Sequence, residues 1–288
     1  MTQAQWTIRD VLAWTRDRFA RAGLDSPRLD AEVLLAHALG CERILLYTDL
    51  ERPLSGEERA RYRELVTGRL ERRPVAHLLG EKEFWSRRFL VSDQVLVPRP
   101  ETELLVERGL AALQGVPRPR ILDVGTGSGA VAVALAVERP DATVVATDVS
   151  AEALALAREN AAAHGVELSF HEGDLLAALP EGTPPFDLVV ANLPYIDEAE
   201  RASLPPEVQR EPALALFAPE AGLATIRRLV RDAPARALSP GGWLMLEVGL
   251  GQAAGVADLM REAGCDGAPA VHADLAGIER VVAARWGG

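Results

Sequence analysis

From residue 119 to the C-terminus, short apolar runs of strand length alternate with longer runs of helical character. This alternation predicts an α/β domain with a mostly parallel sheet and helices on both of its faces. The predicted strands cover residues 120–124, 143–148, 167–172, 186–191, 243–248 and 278–284. The predicted helices cover residues 130–138, 150–164, 223–238 and 252–263. Such sheets bind ligands beyond the carboxyl ends of their strands, so the loops that follow the strands are the candidate functional segments.

The chain before residue 76 has a different pattern, because its apolar residues recur at helical spacing and no strand pattern interrupts them. This pattern predicts a small helical domain over residues 1–75, which we expect to dock a substrate because it contains no recognisable catalytic cluster. β-type residues around polar turns then predict a hairpin linker over residues 76–98. Residues 99–288 form the predicted catalytic domain.

Charge and composition narrow the classes of partner. The net charge of −11 makes the chain a poor default binder of nucleic-acid phosphates, so no direct nucleic-acid contact is expected. No window approaches about 18 consecutive apolar residues, and the first residues lack a basic start followed by an apolar run, so we expect a cytoplasmic protein without membrane contacts. The five histidines show no metal-ligand spacing, so no metal is expected. A monomer is the expected state.

A glycine-rich turn follows the first predicted strand, in the segment Ile-Leu-Asp-Val-Gly-Thr-Gly-Ser-Gly-Ala at residues 121–130. Because Gly125, Gly127 and Gly129 have no Cβ atoms, the backbone can approach a ligand closely, and free N–H groups at the helix start attract an anion. The spacing also satisfies the relaxed form of the dinucleotide-binding fingerprint. The turn therefore predicts a nucleotide-like cofactor without choosing its kind.

Carboxylates follow the next two predicted strands. Asp148, at the tip of the second strand, can accept both hydrogen bonds of a ribose diol. Asp174, after the third strand, can accept a hydrogen bond from an adenine amine while Leu175 packs on the base. Both NAD and S-adenosylmethionine contain a ribose, so Asp148 and the glycine turn leave both cofactors open.

The fourth strand ends in the tetrapeptide Asn192-Leu193-Pro194-Tyr195. A methyl acceptor that is a planar amide or an aromatic amine has a delocalised lone pair and is a poor nucleophile. Its two N–H bonds need two aimed acceptors, which the side-chain oxygen of Asn192 and the carbonyl of Leu193 supply. Pro194 makes the turn rigid, and the ring of Tyr195 can lie over the flat acceptor. These four residues are the predicted catalytic and substrate-binding groups of a methyltransferase.

Several motifs together resemble the bacterial HemK/PrmC family of peptide chain release factor glutamine-N5 methyltransferases. The tetrapeptide at residues 192–195 looks like the Asn/Asp-Pro-Pro-Tyr motif of amino-methyltransferases. The other motifs are Arg-Pro at 73–74, Gly-Glu-Lys-Glu-Phe at 80–84, Val-Leu-Val-Pro-Arg-Pro-Glu-Thr-Glu at 95–103 and Glu-Pro-Ala-Leu-Ala-Leu at 211–216. The resemblance therefore covers nearly the whole chain.

The resemblance implies a Rossmann-like S-adenosylmethionine-dependent methyltransferase sheet with a small N-terminal helical domain and a hairpin linker. It implies methyl transfer to the side-chain amide of the glutamine in the Gly-Gly-Gln loop of release factors, with S-adenosylhomocysteine as product. It also implies that the glycine turn lines the methionine part of the cofactor, that Asp148 holds the ribose, and that residues 192–195 grip the substrate glutamine. The residues expected to contact the cofactor are Gly125, Thr126, Gly127, Ser128, Gly129, Asp148, Asp174, Leu175 and Asn192.

Two residues depart from the family pattern. Leu193 stands where the family usually has Pro, and Asn-Leu-Pro-Tyr is the form typical of ribosomal-RNA adenine dimethyltransferases. Leu175 stands where the family often has Trp, which weakens the expected stacking on adenine.

The alternative function is an adenine-N6 methyltransferase acting on RNA or DNA, because that amine is also flat and delocalised. The acidic balance and the lack of a basic tract interleaved with aromatic residues weigh against it. A nicotinamide-dependent oxidoreductase would leave residues 192–195 unexplained.

Residues 196–220 form a long, proline-containing connection, which we interpret as a flap that faces the substrate.

Overall fold

The computed structural model describes residues 6–287, which divide into two units. The first unit contains the residues up to Gly80 together with Pro206–Arg210. The second unit contains Glu81–Pro205 and the residues from Glu211 onward. Residues 1–5 of the predicted helical domain and Gly288 of the predicted catalytic domain lie outside the described residues.

The first unit is helical, as the spacing of its apolar residues predicts. Its helices are α1 (Ile8–Arg21), α2 (Pro27–Leu39), α3 (Gly56–Leu70) and α4 (Val75–Leu79), with a 3₁₀ turn at Arg43–Tyr47. Thr7 and Ser55 form capping boxes that begin α1 and α3, and Gly40 in the left-handed conformation ends α2. Fully buried side chains such as Phe19 and Leu35 form the core of this unit.

An ion-pair cluster holds residues 206–210 within the first unit. The guanidinium of Arg69, which is buried on α3, donates to Asp30 at 2.7 Å and to Glu207 at 2.8 Å. Arg72 donates to the same Glu207 oxygen at 3.2 Å. A buried guanidinium is costly without such partners, so Glu207 fixes the middle of the predicted flap, residues 196–220.

The second unit alternates strands and helices. Its strands are β1 (Glu81–Phe84), β2 (Arg87–Leu90), β3 (Arg120–Val124), β4 (Thr143–Asp148), β5 (Ser169–Glu172), β6 (Phe186–Ala191), β7 (Leu238–Glu247), β8 (Ala270–Ala273) and β9 (Glu279–Trp286). Its α-helices are α5 (Glu103–Ala112), α6 (Ala130–Glu138), α7 (Ala151–Ala163), α8 (Ala213–Leu216), α9 (Ala224–Arg236) and α10 (Ala253–Glu262). Short 3₁₀ turns lie at Pro100–Thr102, Leu175–Ala178 and Glu198–Ser203.

Seven of these strands form one sheet in the order β5-β4-β3-β6-β7-β9-β8. The pairs from β5 through β7 are parallel, whereas β9 runs antiparallel to both of its neighbours. Val124 pairs with Ala191 and Ala191 pairs with Leu246, so β3, β6 and β7 end at the same edge of the sheet. The predicted α/β class with a mostly parallel sheet is confirmed.

Both faces of the sheet are buried. Side chains alternate between the faces along a strand, so Leu122 and Val189 join the apolar layer that contains α9 and α10. Ile121 and Val190 join the opposite layer, which contains α5 and α6. This double burial explains why the central strands are continuously apolar.

The segment predicted as a hairpin linker, residues 76–98, is organised differently. Its first residues belong to helix α4 of the first unit, whereas the hairpin β1–β2 belongs to the second unit. The hairpin turn is Trp85-Ser86, both with positive φ. The hairpin packs into the core of the second unit through Phe84 and Phe89 and is therefore not a separate linker.

Helix α5 and strand β8 were missing from the predicted elements, and β7 begins at Leu238 rather than at residue 243. Strand β8 shows no buried face, since Val271 is 40 % exposed, so its sequence carries no amphipathic signal. Among residues 6–287, no helix has both the length and the hydropathy needed to cross a membrane.

Candidate active site

A cavity of about 870 Å³ lies at the carboxyl ends of β3, β4 and β6. Its walls come from residues within the segments 94–99, 123–131, 147–153, 172–175, 192–194 and 212–219, together with Thr102, Thr225 and Arg228. Gly129 of the glycine turn is not among these lining residues. All of these residues belong to the second unit. The cavity therefore lies at the sheet edge where the topology predicts a ligand site.

The glycine turn forms one wall of the cavity. The backbone nitrogens of Gly125 and Thr126 donate to the carbonyl of Thr147 at 2.8 and 3.0 Å, which ties the turn to the end of β4. Gly127 has a φ of +56°, and a Cβ there would project into open space. Gly129 has a φ of +80°, and a Cβ there would come within 3.0 Å of Ala157 on α7. Glycine is thus required for the backbone shape and for close helix packing.

Asp123 lies under this turn with only 2 % of its surface exposed. Its carboxylate accepts a hydrogen bond from the hydroxyl of Thr126 at 2.6 Å. Burial raises the pKa of Asp123 to about 7, and the nearby charge of Asp148 also raises this pKa. Asp123 therefore supports the turn from below.

Asp148 is held against the glycine turn by backbone donors. Its Oδ2 accepts from the nitrogen of Gly127 at 2.8 Å, and its Oδ1 accepts from the nitrogen of Ser150 at 2.9 Å. A carboxylate offers about four acceptor positions, so two remain for a ligand. The fixed carboxylate at the tip of β4 therefore suits a diol.

Asp174 and Leu175 also line the cavity, at the end of β5. Asp174 forms a 2.5 Å ion pair with Arg228 on α9, a partner that the sequence alone does not indicate. Leu175 has a left-handed φ of 51° and packs against the apolar layer that contains α9. Leu175 and Asp174 thus place an apolar surface beside a carboxylate at the edge of the cavity.

The end of β6 brings Asn192, Leu193 and Pro194 to the same cavity. The side-chain nitrogen of Asn192 donates to the hydroxyl of Thr102 at 3.2 Å. Leu193 is buried, and its Cδ2 lies 3.0 Å from where a Cβ on Gly125 would stand. The tetrapeptide therefore packs directly on the glycine turn.

Tyr195 is not among the described residues that line this cavity. Its carbonyl accepts from the side-chain nitrogen of Gln252 at 2.8 Å, and a Cβ on Gly222 would come within 1.9 Å of the same oxygen. Burial raises the pKa of Tyr195 to about 12. The structure thus packs Tyr195 behind the loop, and its expected position over the acceptor stays a prediction.

Three acidic or hydroxyl side chains at the site had no role assigned from the sequence. Glu211 is buried, accepts from the nitrogen of Val97 at 2.9 Å and pairs with Arg99. Thr102 contacts Asn192, and Glu247 lies at the end of β7 beside both. A carboxylate at the end of an apolar run is the sequence signal for Glu247, but only the folded register shows that this strand lies next to the Asn192 strand.

The residues that line the cavity fit S-adenosylmethionine. The open space beside Gly127 leaves room for a ligand at the backbone, and Asp148 keeps free acceptor positions for a ribose. Leu175 supplies apolar surface for a base. No group of three or more His, Cys, Asp or Glu side chains within residues 6–287 is arranged to hold a metal ion.

Comparison with known proteins gives two family matches. The PrmC N-terminal domain matches residues 10–80, and a methyltransferase domain matches residues 121–210. The release factor glutamine methyltransferase of Geobacter sulfurreducens is 45 % identical over 285 residues, which are 98 % of either chain. That of Deinococcus radiodurans is 45 % identical over 281 residues, which are 98 % of this chain and 99 % of its own.

Among solved structures, the fold is similar to that of the T. thermophilus 16S rRNA N2 G1207 methyltransferase in complex with AdoMet and guanosine. The TM-score is 0.50 at 23 % identity, and the match covers 72 % of this chain and 49 % of that one. At this identity the likeness concerns the fold alone, and together with the matched methyltransferase domain it confirms the expected Rossmann-like methyltransferase sheet.

Proposed function

The chain belongs to the release factor glutamine methyltransferase family, and we propose that it methylates the side-chain amide of the glutamine in the Gly-Gly-Gln loop of peptide chain release factors. S-adenosylmethionine is the proposed methyl donor. The observation that carries the proposal is that Asn192, the glycine turn and Asp148 line one cavity. A hydrogen-bond acceptor for a substrate amide and a binding surface for a nucleoside thus face the same cavity.

We propose that the donor lies along the glycine turn, with its ribose on Asp148 and its base beside Asp174 and Leu175. The backbone donors hold the carboxylate of Asp148 in place through contacts within the protein, which limits the ordering that binding requires. When bound, the donor supplies an electrophilic methyl group on a positively charged sulfur.

The substrate glutamine enters beside Asn192 and Leu193 in this proposal. Asn192 Oδ1 and the carbonyl of Leu193 accept hydrogen bonds from the two N–H groups of the amide. These hydrogen bonds orient the nitrogen lone pair toward the methyl group. A nitrogen–carbon bond forms as the sulfur–carbon bond breaks, and the bond electrons remain on sulfur, which becomes the neutral thioether. The nitrogen turns acidic as the methyl group arrives and releases its extra proton to water, so no strong base is needed.

Pro194 and Tyr195 support the loop in this account. Pro194 restricts the backbone beside the acceptor carbonyl. Tyr195 anchors the far end of the loop through Gln252, which donates to the carbonyls of Tyr195 and Ala221. Stacking of the Tyr195 ring on the substrate stays a prediction.

We further propose that the helical first unit docks the body of the release factor. A release factor is far larger than a cavity of about 870 Å³, so only a loop of it enters and the remainder requires a surface outside. A chain beginning near Leu79 that folds and methylates intact release factor at the full rate would contradict this role. The cytoplasmic location, the monomeric state, and the absence of nucleic-acid and membrane contacts stay predictions.

The test is a transfer assay with radiolabelled S-adenosylmethionine. The purified chain is incubated with release factor in one sample and with structured RNA in another. Label on the release factor supports the proposal, and label only on adenine in the RNA supports the alternative function. The Asn192→Ala variant serves as the control for transfer by a contaminating enzyme.

A further inference from the structure

A buried carboxyl group ends strand β7, beside the tetrapeptide loop. Glu247 is 2 % exposed, in a strand that is otherwise apolar at this end. Ala191 pairs with Leu246, so Glu247 and Asn192 are the next residues on two neighbouring parallel strands. Burying a carboxyl group on an apolar strand costs stability, which calls for a compensating role.

The partners of Glu247 are polar groups of the proposed active site. The nearby Thr102 hydroxyl and Asn192 amide favour its charged form, while Arg280 and Glu101 act on it through their charges. The Asn192 nitrogen also donates to the Thr102 oxygen at 3.2 Å. The second carboxyl oxygen, Oε2, has no hydrogen-bond partner among the described residues. Glu247, Thr102 and Asn192 thus form one buried network.

This network distinguishes the two ends of the Asn192 amide. The oxygen and nitrogen of an amide have nearly the same shape, yet only the oxygen accepts a hydrogen bond from a substrate N–H. An ionised carboxylate only accepts, so it attracts the amide nitrogen and repels the amide oxygen. With its nitrogen turned to Glu247 and Thr102, Asn192 presents its oxygen on the opposite side.

We propose that Glu247 is a positioning residue that, together with Thr102, holds the Asn192 amide with its nitrogen inward and its oxygen toward the substrate glutamine. This inference rests on the proposed function, since it assigns the acceptor for that glutamine. Burial raises the pKa of Glu247 to about 7, so the accepting, ionised form predominates in mildly alkaline solution. Glu247 acts through Asn192 and does not contact the substrate.

The experiment combines steady-state kinetics of Glu247→Gln with a double-mutant cycle on Asn192. Glutamine keeps the volume but adds a donor that competes for the same network. We expect kcat with release factor to fall about 10- to 100-fold, as for a misplaced reacting group. The KM for release factor and the Kd for S-adenosylmethionine, measured by calorimetry, stay within about twofold. Glu279→Gln, which removes an exposed charge on β9, is the matched control and keeps wild-type kinetics.

The cycle separates positioning from general damage. In the Asn192→Ala background, Glu247→Gln lowers kcat by less than about twofold, because the amide that Glu247 positions is absent. An equal fall in kcat in both backgrounds overturns the positioning role. The volume-conserving Glu247→Met variant, which removes the acceptor, repeats the cycle should the glutamine variant fold poorly. If the wild-type chain does not label release factor, the proposed function fails and this role fails with it. If the wild type labels release factor but the cycle is additive, the positioning role alone fails.

Discussion

The carboxylate of Asp148 accepts a hydrogen bond from the backbone nitrogen of Gly127 at 2.8 Å. The tip of β4 and the middle of the glycine turn are therefore joined by a hydrogen bond within the protein itself. Asp148 serves both the turn and the proposed ribose, so its loss removes a ligand contact and loosens the surface on which the ligand lies.

Replacing Asp148 with alanine is expected to weaken the binding of S-adenosylmethionine by at least about tenfold, because two hydrogen bonds to a charged acceptor are lost. Isothermal titration calorimetry measures the Kd. Asp141→Asn is the control, since Asp141 is an exposed carboxylate that precedes the same strand and pairs with Arg139. Equal Kd values for the Asp148 variant and the wild type would remove Asp148 from the cofactor site.

Replacing Asn192 with alanine is expected to lower kcat/KM with release factor by an amount equivalent to about 3 kcal/mol of transition-state stabilisation. This is the scale for losing one hydrogen-bonding group in a transition state. Steady-state methyl-transfer kinetics measure this change, and the thermal midpoint of the variant shows that it is folded. A loss smaller than about tenfold means that Asn192 does not anchor the substrate amide.

The stability of the chain should depend on pH through Glu247. Its pKa is raised from 4.5 to about 7, so its folded state binds more protons than its unfolded state between these values. This contribution to stability is therefore complete below pH 4.5 and is lost as the pH rises through about 7. A Glu247→Gln variant has no such loss. The variant should gain unfolding free energy relative to the wild type between about pH 5 and pH 8, on the order of 3 kcal/mol at most.

Urea unfolding of both proteins at each pH measures that gain. The comparison cancels the titration of groups common to both chains. Arg280 and Glu101 face the carboxyl group and are present in both. If the difference in unfolding free energy between the variant and the wild type is the same at about pH 5 and pH 8, the raised pKa of Glu247 is contradicted.

The flap, residues 196–220, is expected to contact the release factor. Deleting Glu198–Ser203 removes an exposed or half-buried turn and leaves Glu207 and Glu211 in place. The KM for release factor should rise severalfold while the Kd for S-adenosylmethionine stays unchanged. Methylation kinetics over a range of release factor concentrations measure this KM. An unchanged KM rules out a substrate-facing role for the deleted turn.

Most of the sheet was predictable from the sequence because its central strands are buried on both faces. The bounds of β3, β4 and β6 match the prediction residue for residue, since apolar runs end at turn-forming residues such as Gly125 and Asn192. Strand β8 was not predictable, because its side chains are largely exposed, although it pairs with β9, the next strand along the chain. The local sequence pattern reflects which side chains are buried, so an exposed edge strand leaves no such pattern.

The candidate site was predictable to the extent that each motif follows a strand of the sheet. Asp148, Asp174 and Asn192 meet at one cavity because parallel strands end at one edge. The placement of Tyr195 was not predictable, because it depends on Gly222 and Gln252, which come from later segments. The buried partners of Asn192 likewise come from separate parts of the chain, and only the folded register joins them.

Tandem mass spectrometry of a release factor after incubation with this chain and S-adenosylmethionine tests the central claim most directly. Fragment ions of the peptide that contains Gly-Gly-Gln locate the added methyl group, and a release factor with that glutamine replaced by glutamate is the control. We predict one methyl group on the glutamine side-chain nitrogen and none on the control. A methyl group on another residue, or transfer only to adenine in added RNA, would contradict the account.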